Sequence, residues 1–310
     1  LSEKALLIYN PAANQGNAGK ILPKVEELLR DAGFEYDLSL TGRPGDAMGF
    51  ARQAAEEKRT LVVAAGGDGT VNEVINGLME ANPQGNNRPV LAVLPVGRGN
   101  DFAYGLHIPG ELEEAVKVLK KAEQCIIDIG RVSGGNYPQG RFFGNGVGLG
   151  FDAVVGFEAA RMKFIQGAAS YLAAVVKTIF LYAKAPVYEV VMDGETIRQP
   201  FLMISIMNGR RMGGMFHMAP QSDNSDGLFD LCLAGQVAQI KILPLAAKFI
   251  SGKQEGHPAI RMARAGQITI RAVKGTIPAH ADGETICEKG QALTIEIFPS
   301  SLKVITRARG

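Results

Sequence analysis

Leu61-Val62-Val63-Ala64-Ala65-Gly66-Gly67-Asp68-Gly69-Thr70 is the stretch that decides the fold. Five apolar residues without a polar break read as a strand buried on both faces, and such a strand needs cover on both sides. The glycine-rich segment behind it leads into Val71 to Met79, a helix-like run. On the N-terminal side, Ala5 to Tyr9 is a strand stopped by Asn10-Pro11. Ile21 to Ala32 places Ile21, Leu22, Val25, Leu28 and Leu29 on one helical face and stops at Gly33. Phe34 to Leu40 reads as a strand and Ala47 to Glu57 as a helix. On the C-terminal side, Val90 to Leu94 is another buried strand ending at Pro95, and Leu112 to Lys121 is helical. Strand and helix alternate over short connections, which predicts a doubly wound parallel α/β sheet.

From about Cys125 the rhythm changes. Segments around 126–133, 140–144, 187–193, 201–207, 228–233, 267–273 and 292–298 are short, β-branched and bounded by Gly, Asp, Asn or Pro. They predict a mainly antiparallel, sandwich-like β-rich domain. Two helical stretches interrupt it, Asp152 to Lys184 and Ala238 to Ile250. The expected organisation is an α/β domain over 1–125, a β-rich domain over 126–299 and an active-site cleft between them. The last strand, Leu302 to Thr306, is able to pair with either domain, so 300–310 is open to a return to the first.

The loop Gly66-Gly67-Asp68-Gly69-Thr70 sits at a strand-to-helix junction, where glycine lets backbone approach a phosphate and the helix N-terminus offers free N–H groups. Asp68 then calls for a divalent cation between its carboxylate and the phosphates, and Mg²⁺ suits that role. A plain turn with Asp68 or Thr70 as cap is the bland alternative. A Walker loop is excluded, because Asn14 stands where its first glycine belongs and Ile21 replaces its Ser or Thr. A second loop, Pro95-Val96-Gly97-Arg98-Gly99-Asn100-Asp101-Phe102, follows the next buried strand. In a parallel sheet both loops open on one edge, which favours a shared phosphate site.

GGDGT with Asn72-Glu73 beyond it, followed by P-x-G-x-x-N-D-F, resembles the catalytic domain of diacylglycerol kinases and their bacterial lipid-kinase relatives, which are related to sphingosine kinases. Asn10-Pro11, Thr41 with Gly45-Asp46-Ala47, Asn145, Gly150-Phe151-Asp152-Ala153, Asn208, Gly213-Gly214 and Ala219-Pro220 extend the resemblance over most of the chain. It implies a kinase moving the γ-phosphate of Mg-ATP to a lipid hydroxyl. The nucleotide is expected at Asn10, Thr41, Gly66, Gly67, Asp68, Gly69, Thr70, Glu73, Gly97, Arg98, Asn100 and Asp101, with Asp68 organising Mg-ATP. Two departures stand out. Arg98 replaces the family's usual Thr, and its guanidinium either strengthens phosphate binding or fills the pocket. Met215 stands where many relatives have a third glycine.

Asp223-Asn224-Ser225-Asp226-Gly227-Leu228 puts two carboxylates three residues apart. Spacing alone favours a turn in which Asp and Asn bond their own backbone. The resemblance implies instead a structural Mg²⁺ held by Asp223, Asp226 and the carbonyl of Leu228. Asp282-Gly283-Glu284 is a hairpin signal that recurs at Asp193-Gly194-Glu195, so the tripeptide alone decides nothing. By resemblance the late copy is the catalytic one, which makes Glu284 the general base and Glu195 a turn residue.

A net charge of +2 is too small for a nucleic-acid binder, and no run of Lys and Arg forms a polybasic tether. Cys125, Cys232 and Cys287 are far apart, which reads as a reduced protein without a cysteine metal site. LSEKALLIYNP has no secretory pattern, and Gly167 to Ala183, interrupted by Lys177, is short for a bilayer span of ~20 residues. A cytoplasmic enzyme visiting the membrane surface is expected, with its oligomeric state, homodimer included, open. His107, His217, His257 and His280 lack metal-ligand spacing and read as structural. Met203, Met207, Met212, Met215 and Met218 read as core or as a flexible lipid-facing lining. NAD kinase and a nucleotide-binding regulator without catalysis are the competing readings. PVGRGNDF and the late DGE oppose the first, and Arg98 supports the second.

Overall fold

The computed structural model describes residues 4–82, 85, 87–161, 178–179 and 184–307. The N-terminal unit is built on β1 (Ala5–Tyr9), β2 (Tyr36–Leu40), β3 (Leu61–Gly66) and β4 (Val90–Pro95). They are parallel, in the order β4-β3-β1-β2. β1 and β3 are buried almost throughout, as their unbroken apolar runs require. The helices α1 (Asn17–Asp31), α2 (Asp46–Glu56), α3 (Asp68–Ala81) and α5 (Leu112–Lys121) cover the sheet. α2 packs on α3, and α1 meets α5. One-turn α4 (Asp101–Gly105) lies between β4 and α5 and had no apolar period to announce it.

The C-terminal unit contains β5 (Gln124–Gly134), β6 (Tyr137–Phe143), β7 (Gly146–Gly150), β8 (Val187–Met192), β9 (Glu195–Met207) and β10 (Phe229–Gly235). It continues with β11 (Ile260–Ala265), β12 (Gln267–Lys274), β13 (Ile277–Ala281), β14 (Glu284–Gly290) and β15 (Ala292–Ile305). Its pairings are antiparallel, and β9 makes two of them in sequence. Residues 195–200 pair with β8, whereas 201–207 pair with β7 and β10. One long strand thereby feeds both layers of the sandwich, and Val147, Leu149, Ile204, Ile206, Ile268 and Ile295 fill the core between them.

β15 is longer than the two strands read from the sequence. Its register shifts between Phe298 and Leu302, and Val304 then pairs in parallel with Leu91 of β4. Leu302, Val304 and Ile305 join the core of the N-terminal unit, as do Ile127 and Ile129 of β5. The helix expected over Asp152 to Lys184 is described as α6 (Phe151–Arg161) and at residues 178–179. The rest of it, with most of Gly167 to Ala183, lies outside the described residues. No described helix is long and apolar enough to cross a membrane. Ala238 to Ile250 forms a short 3-10 turn at Gln239–Lys241 and a helix at Ile242–Ser251.

Candidate active site

β3 and β4 end side by side, so their loops meet at the carboxyl edge of the parallel sheet. The Gly97 N–H donates to the Gly66 carbonyl at 3.1 Å. A Cβ on Gly97 would overlap the Cα of Gly67, so side chains are excluded where the two loops touch. α3 begins at Asp68 behind an extended Gly67, and its first backbone bond is Val71 N–H to the Gly67 carbonyl. The N–H groups of the first turn, Asp68 to Thr70, precede that ladder and suit a phosphate. Asn10 Nδ2 donates to Thr70 Oγ1 at 2.9 Å and ties the end of β1 to this turn. Thr41 is brought alongside by its backbone bond to the Tyr9 carbonyl at 2.9 Å.

Glu73 lies on α3 and reaches across to α2. Its carboxylate accepts the N–H groups of Gly45 at 2.9 Å and Ala47 at 3.1 Å, which caps α2 and fixes the Thr41–Asp46 loop against α3. Asn100 stays inside its own loop, donating to the Gly97 carbonyl at 3.1 Å. Arg98 is exposed on the loop surface. Asp68 accepts the Phe102 N–H at 3.1 Å, and burial raises its carboxyl above the usual range. Asp101 is pushed up to about 6, by burial first and by the neighbouring charge of Asp68 second. A Cβ on Gly99 would stand 2.7 Å from Asp68 Oδ2 and 3.7 Å from Asp101 Oδ2. Asp68 and Asp101 thus stand as two mutually repelling carboxylates beside the phosphate cradle.

The second unit reaches this crevice at three places. First, Glu284, at the start of β14, has Oε1 3.7 Å from where a Cβ on Gly69 would be. The late DGE therefore faces the glycine-rich loop. Glu195, the rival copy, is exposed and paired with Arg261 at 2.7 Å. Second, Arg211 donates from Nε to Asp101 at 2.8 Å and from a terminal nitrogen to the Gly99 carbonyl at 2.9 Å. Its guanidinium carbon lies 3.9 Å from the Tyr104 ring centre, and the Gly214 N–H adds 3.0 Å bonds to Asp101.

Third, a buried polar seam joins α3 to the β sandwich. Asn72 Nδ2 donates to the Phe142 carbonyl at 3.0 Å and to Asp282 at 3.1 Å, and its Oδ1 accepts Arg141 at 2.7 Å. Asn76 brackets Phe142 through a 2.9 Å bond to each backbone group. Asp282 collects the N–H groups of Gly144, Asn145 and Gly146 at 2.8–3.1 Å, which locks the turn that presents Glu284. Arg211 and Asn76 escaped sequence reasoning: Arg211 stands between the noted Asn208 and Gly213-Gly214, but its partners lie about 110 positions away. Asp282 was visible in DGE, but its role as a backbone clamp was not.

In the 223–228 motif both carboxylates hydrogen-bond within the protein. Asp223 accepts the Ser225 N–H at 3.1 Å and hydroxyl at 2.7 Å. Asp226 accepts the Leu228 N–H at 3.1 Å and is paired with Arg264, so donors already occupy it. This is the self-bonded turn that spacing alone favoured. Its organiser is Asp128, fully buried and unforeseen, which accepts the N–H groups of Gly227 and Ser300 at 2.7 Å each. Among the described residues no cluster of three or more His, Cys, Asp or Glu could hold a metal.

Residues 4–132 match the diacylglycerol kinase catalytic domain, and residues 145–306 match the YegS C-terminal NAD kinase beta sandwich-like domain. The chain is 30% identical over 289 residues to a diacylglycerol kinase of Bacillus subtilis (strain 168), covering 91% of this chain and 90% of that one. It belongs to the diacylglycerol kinase catalytic-domain family. A family member in Staphylococcus aureus (strain bovine RF122 / ET3-1), also a diacylglycerol kinase, is 30% identical over 290 residues, covering 92% and 87%. A solved candidate diacylglycerol kinase from Bacillus anthracis str. Sterne superposes with a TM-score of 0.79 at 26% identity, over 98% and 95% of the two chains. An NAD kinase from Archaeoglobus fulgidus, solved with ATP, shares the fold at a TM-score of 0.50 and 14% identity, over 97% and 93%. The chain is thus a kinase-family protein with the α/β-plus-sandwich architecture that its sequence predicted.

Proposed function

We propose that the chain transfers the γ-phosphate of ATP to the hydroxyl of a membrane lipid such as diacylglycerol, with Glu284 as general base. The observation that carries this reading is the placement of Glu284 against Gly69, at the first turn of α3. A phosphate on that turn would put its terminal phosphorus between the loop and the carboxylate. The acceptor hydroxyl gives its proton to Glu284 as its oxygen bonds to phosphorus, and the bond to the ADP oxygen breaks.

The division of labour follows the elements. Residues 1–125, with 300–305 packed back on them, hold the nucleotide through Gly66 to Thr70 and Gly97 to Asp101. Asn10 orients Thr70, while Glu73 positions Thr41 and Gly45 from behind. Residues 126–299 present the base and the acceptor. Mg²⁺ would be held at Asp68 and would neutralise phosphate charge when bound. Asp223 and Asp226 serve in this reading as turn residues.

The test is a labelled-phosphate transfer assay with Mg²⁺, γ-labelled ATP and parallel acceptors: diacylglycerol, phosphatidylglycerol, a sphingoid base and a polyprenol in mixed micelles, and NAD⁺ in solution. Label in one lipid and none in NAD⁺ is expected. Label in NAD⁺ alone would overturn the lipid acceptor. ATP binding without transfer to any acceptor would support the regulator alternative.

A further inference from the structure

The segment from Gln239 to Lys253 combines three features that a protein surface rarely brings together without use. Helix Ile242–Ser251 buries Ile242, Leu245 and Phe249 in a methionine-rich cluster with Met203, Met207, Met212 and Met218. Its opposite face is apolar too. Ile240 is 85% exposed, Leu243 48% and Ile250 49%, with Pro244 and Ala247 exposed between them. Exposed Lys241, Lys248 and Lys253 rim that face, and no Asp or Glu occurs between Asp230 and Glu255. A helix apolar on both sides, with three exposed lysines along its segment, is suited to lie in an interface.

The position of this face ties it to the crevice. The His217 N–H donates to the Phe249 carbonyl at 2.9 Å, and Gln254 Nε2 donates to the Met218 carbonyl at 3.1 Å. The loop so anchored runs back to Arg211 and Gly214, which grip Asp101 and Gly99. The His217 ring also meets Tyr104 of α4 edge-on, with centroids 6.0 Å apart. A path of hydrogen bonds and one ring contact therefore links the exposed helix to the second glycine-rich loop.

We propose that the outer face of Ile240–Lys253 docks on an anionic lipid bilayer, with Ile240, Leu243 and Ile250 inserted among acyl chains and the three lysines on headgroup phosphates. The occupant follows from charge complementarity: three lysines with no acidic neighbour in the segment repel a second copy of themselves and attract an anionic plane. This deepens the lipid-kinase reading and rests on it, because docking here would hold the crevice at the membrane where a lipid acceptor resides.

The experiment is vesicle co-sedimentation of the full chain with phosphatidylcholine vesicles and with vesicles containing phosphatidylglycerol. It compares wild type, Ile240→Asp/Ile250→Asp, and Lys241→Glu/Lys248→Glu/Lys253→Glu, with size-exclusion light scattering beside it. Wild type is expected to bind anionic vesicles, more weakly in high salt. Each variant should lower that partitioning by roughly tenfold or more. Transfer to a water-soluble short-chain acceptor should persist in both variants. That activity separates this proposal from the kinase reading, since sedimentation needs no turnover and the soluble assay needs no membrane. The surface substitutions of the lysine variant spare the helix core, so it serves if the isoleucine variant misfolds. Unchanged partitioning in a folded variant would overturn the proposal. So would a wild-type dimer that the variants split into monomers, which would make the face a contact between copies.

Discussion

Asp152 is a largely buried carboxylate. It is the second residue of α6, accepts the Ala153 N–H at 2.8 Å, and lies 3.9 Å from His280. Burial pushes its carboxyl up to about 7 and pushes His280 down to about 4. Burial likewise raises Cys232 to about 12, with the Asp152 charge adding to it. An acid raised in the folded state stabilises it below its unfolded value near 4, and that contribution is lost as pH rises through 7. The lowered His280 acts oppositely and loses stability as pH falls from 6.5 toward 4. Asp152→Asn keeps an acceptor for the Ala153 N–H and removes the ionisation. Its melting temperature should match wild type near pH 4 and exceed it at pH 8, by on the order of 2–4 kcal/mol in stability. A gap that does not widen with pH would show Asp152 to be ionised without cost. Glu195 gives the residue-scale contrast. It is exposed and paired with Arg261, so Glu195→Ala should leave turnover within about twofold of wild type.

At the scale of elements, the decisive contact is between two loops. Gly97 meets Gly67 without room for a side chain, so Gly97→Ala should force the β3 and β4 loops apart. The expected loss is about 1–3 kcal/mol in stability and at least tenfold in nucleotide affinity, read by thermal melting and by ATP titration. Affinity equal to wild type would mean that the loops do not act together. These loops were legible in the sequence because buried parallel strands are unbroken apolar runs and their glycines mark where backbone must come close. β1, β3 and β4 fall within a residue of their expected bounds for the same reason, and α5 does so through its helical apolar period. β7, with three glycines in five residues, and the hairpin β13–β14 carried no alternation to read. Their burial comes from neighbouring strands rather than from their own pattern. α4 is too short for a helical period, although the Asp101 that begins it was singled out.

The whole molecule is held as one piece by groups that cross between its units. β15 runs from the sandwich into the parallel sheet, Asn72 and Asn76 bridge to Phe142, and Arg211 spans to Asp101. Arg211 and Asp101 are both largely buried, so removing the guanidinium strands a carboxylate already raised to about 6. Arg211→Ala should cost about 3–5 kcal/mol, and Arg211→Lys should recover only part of it because an ammonium cannot make both bonds in the same plane. The matching kinetic readout is a fall in kcat with ATP affinity retained, since the first unit keeps its loops while the second is no longer aligned. Equal melting of wild type and Arg211→Ala would remove this latch from the mechanism. Such cross-unit bonds could not be read from one sequence, because each pairs residues about 70 to 210 positions apart.

The most direct measurement for phosphoryl transfer across this crevice is single-turnover label transfer from γ-labelled ATP to diacylglycerol in micelles, for wild type and Glu284→Gln, with ATP affinity measured on both. Glu284→Gln should bind ATP as wild type does and transfer label about 10²–10⁴-fold more slowly. Transfer at the wild-type rate by a folded, ATP-binding Glu284→Gln enzyme would contradict the assignment of Glu284 as the base facing Gly69.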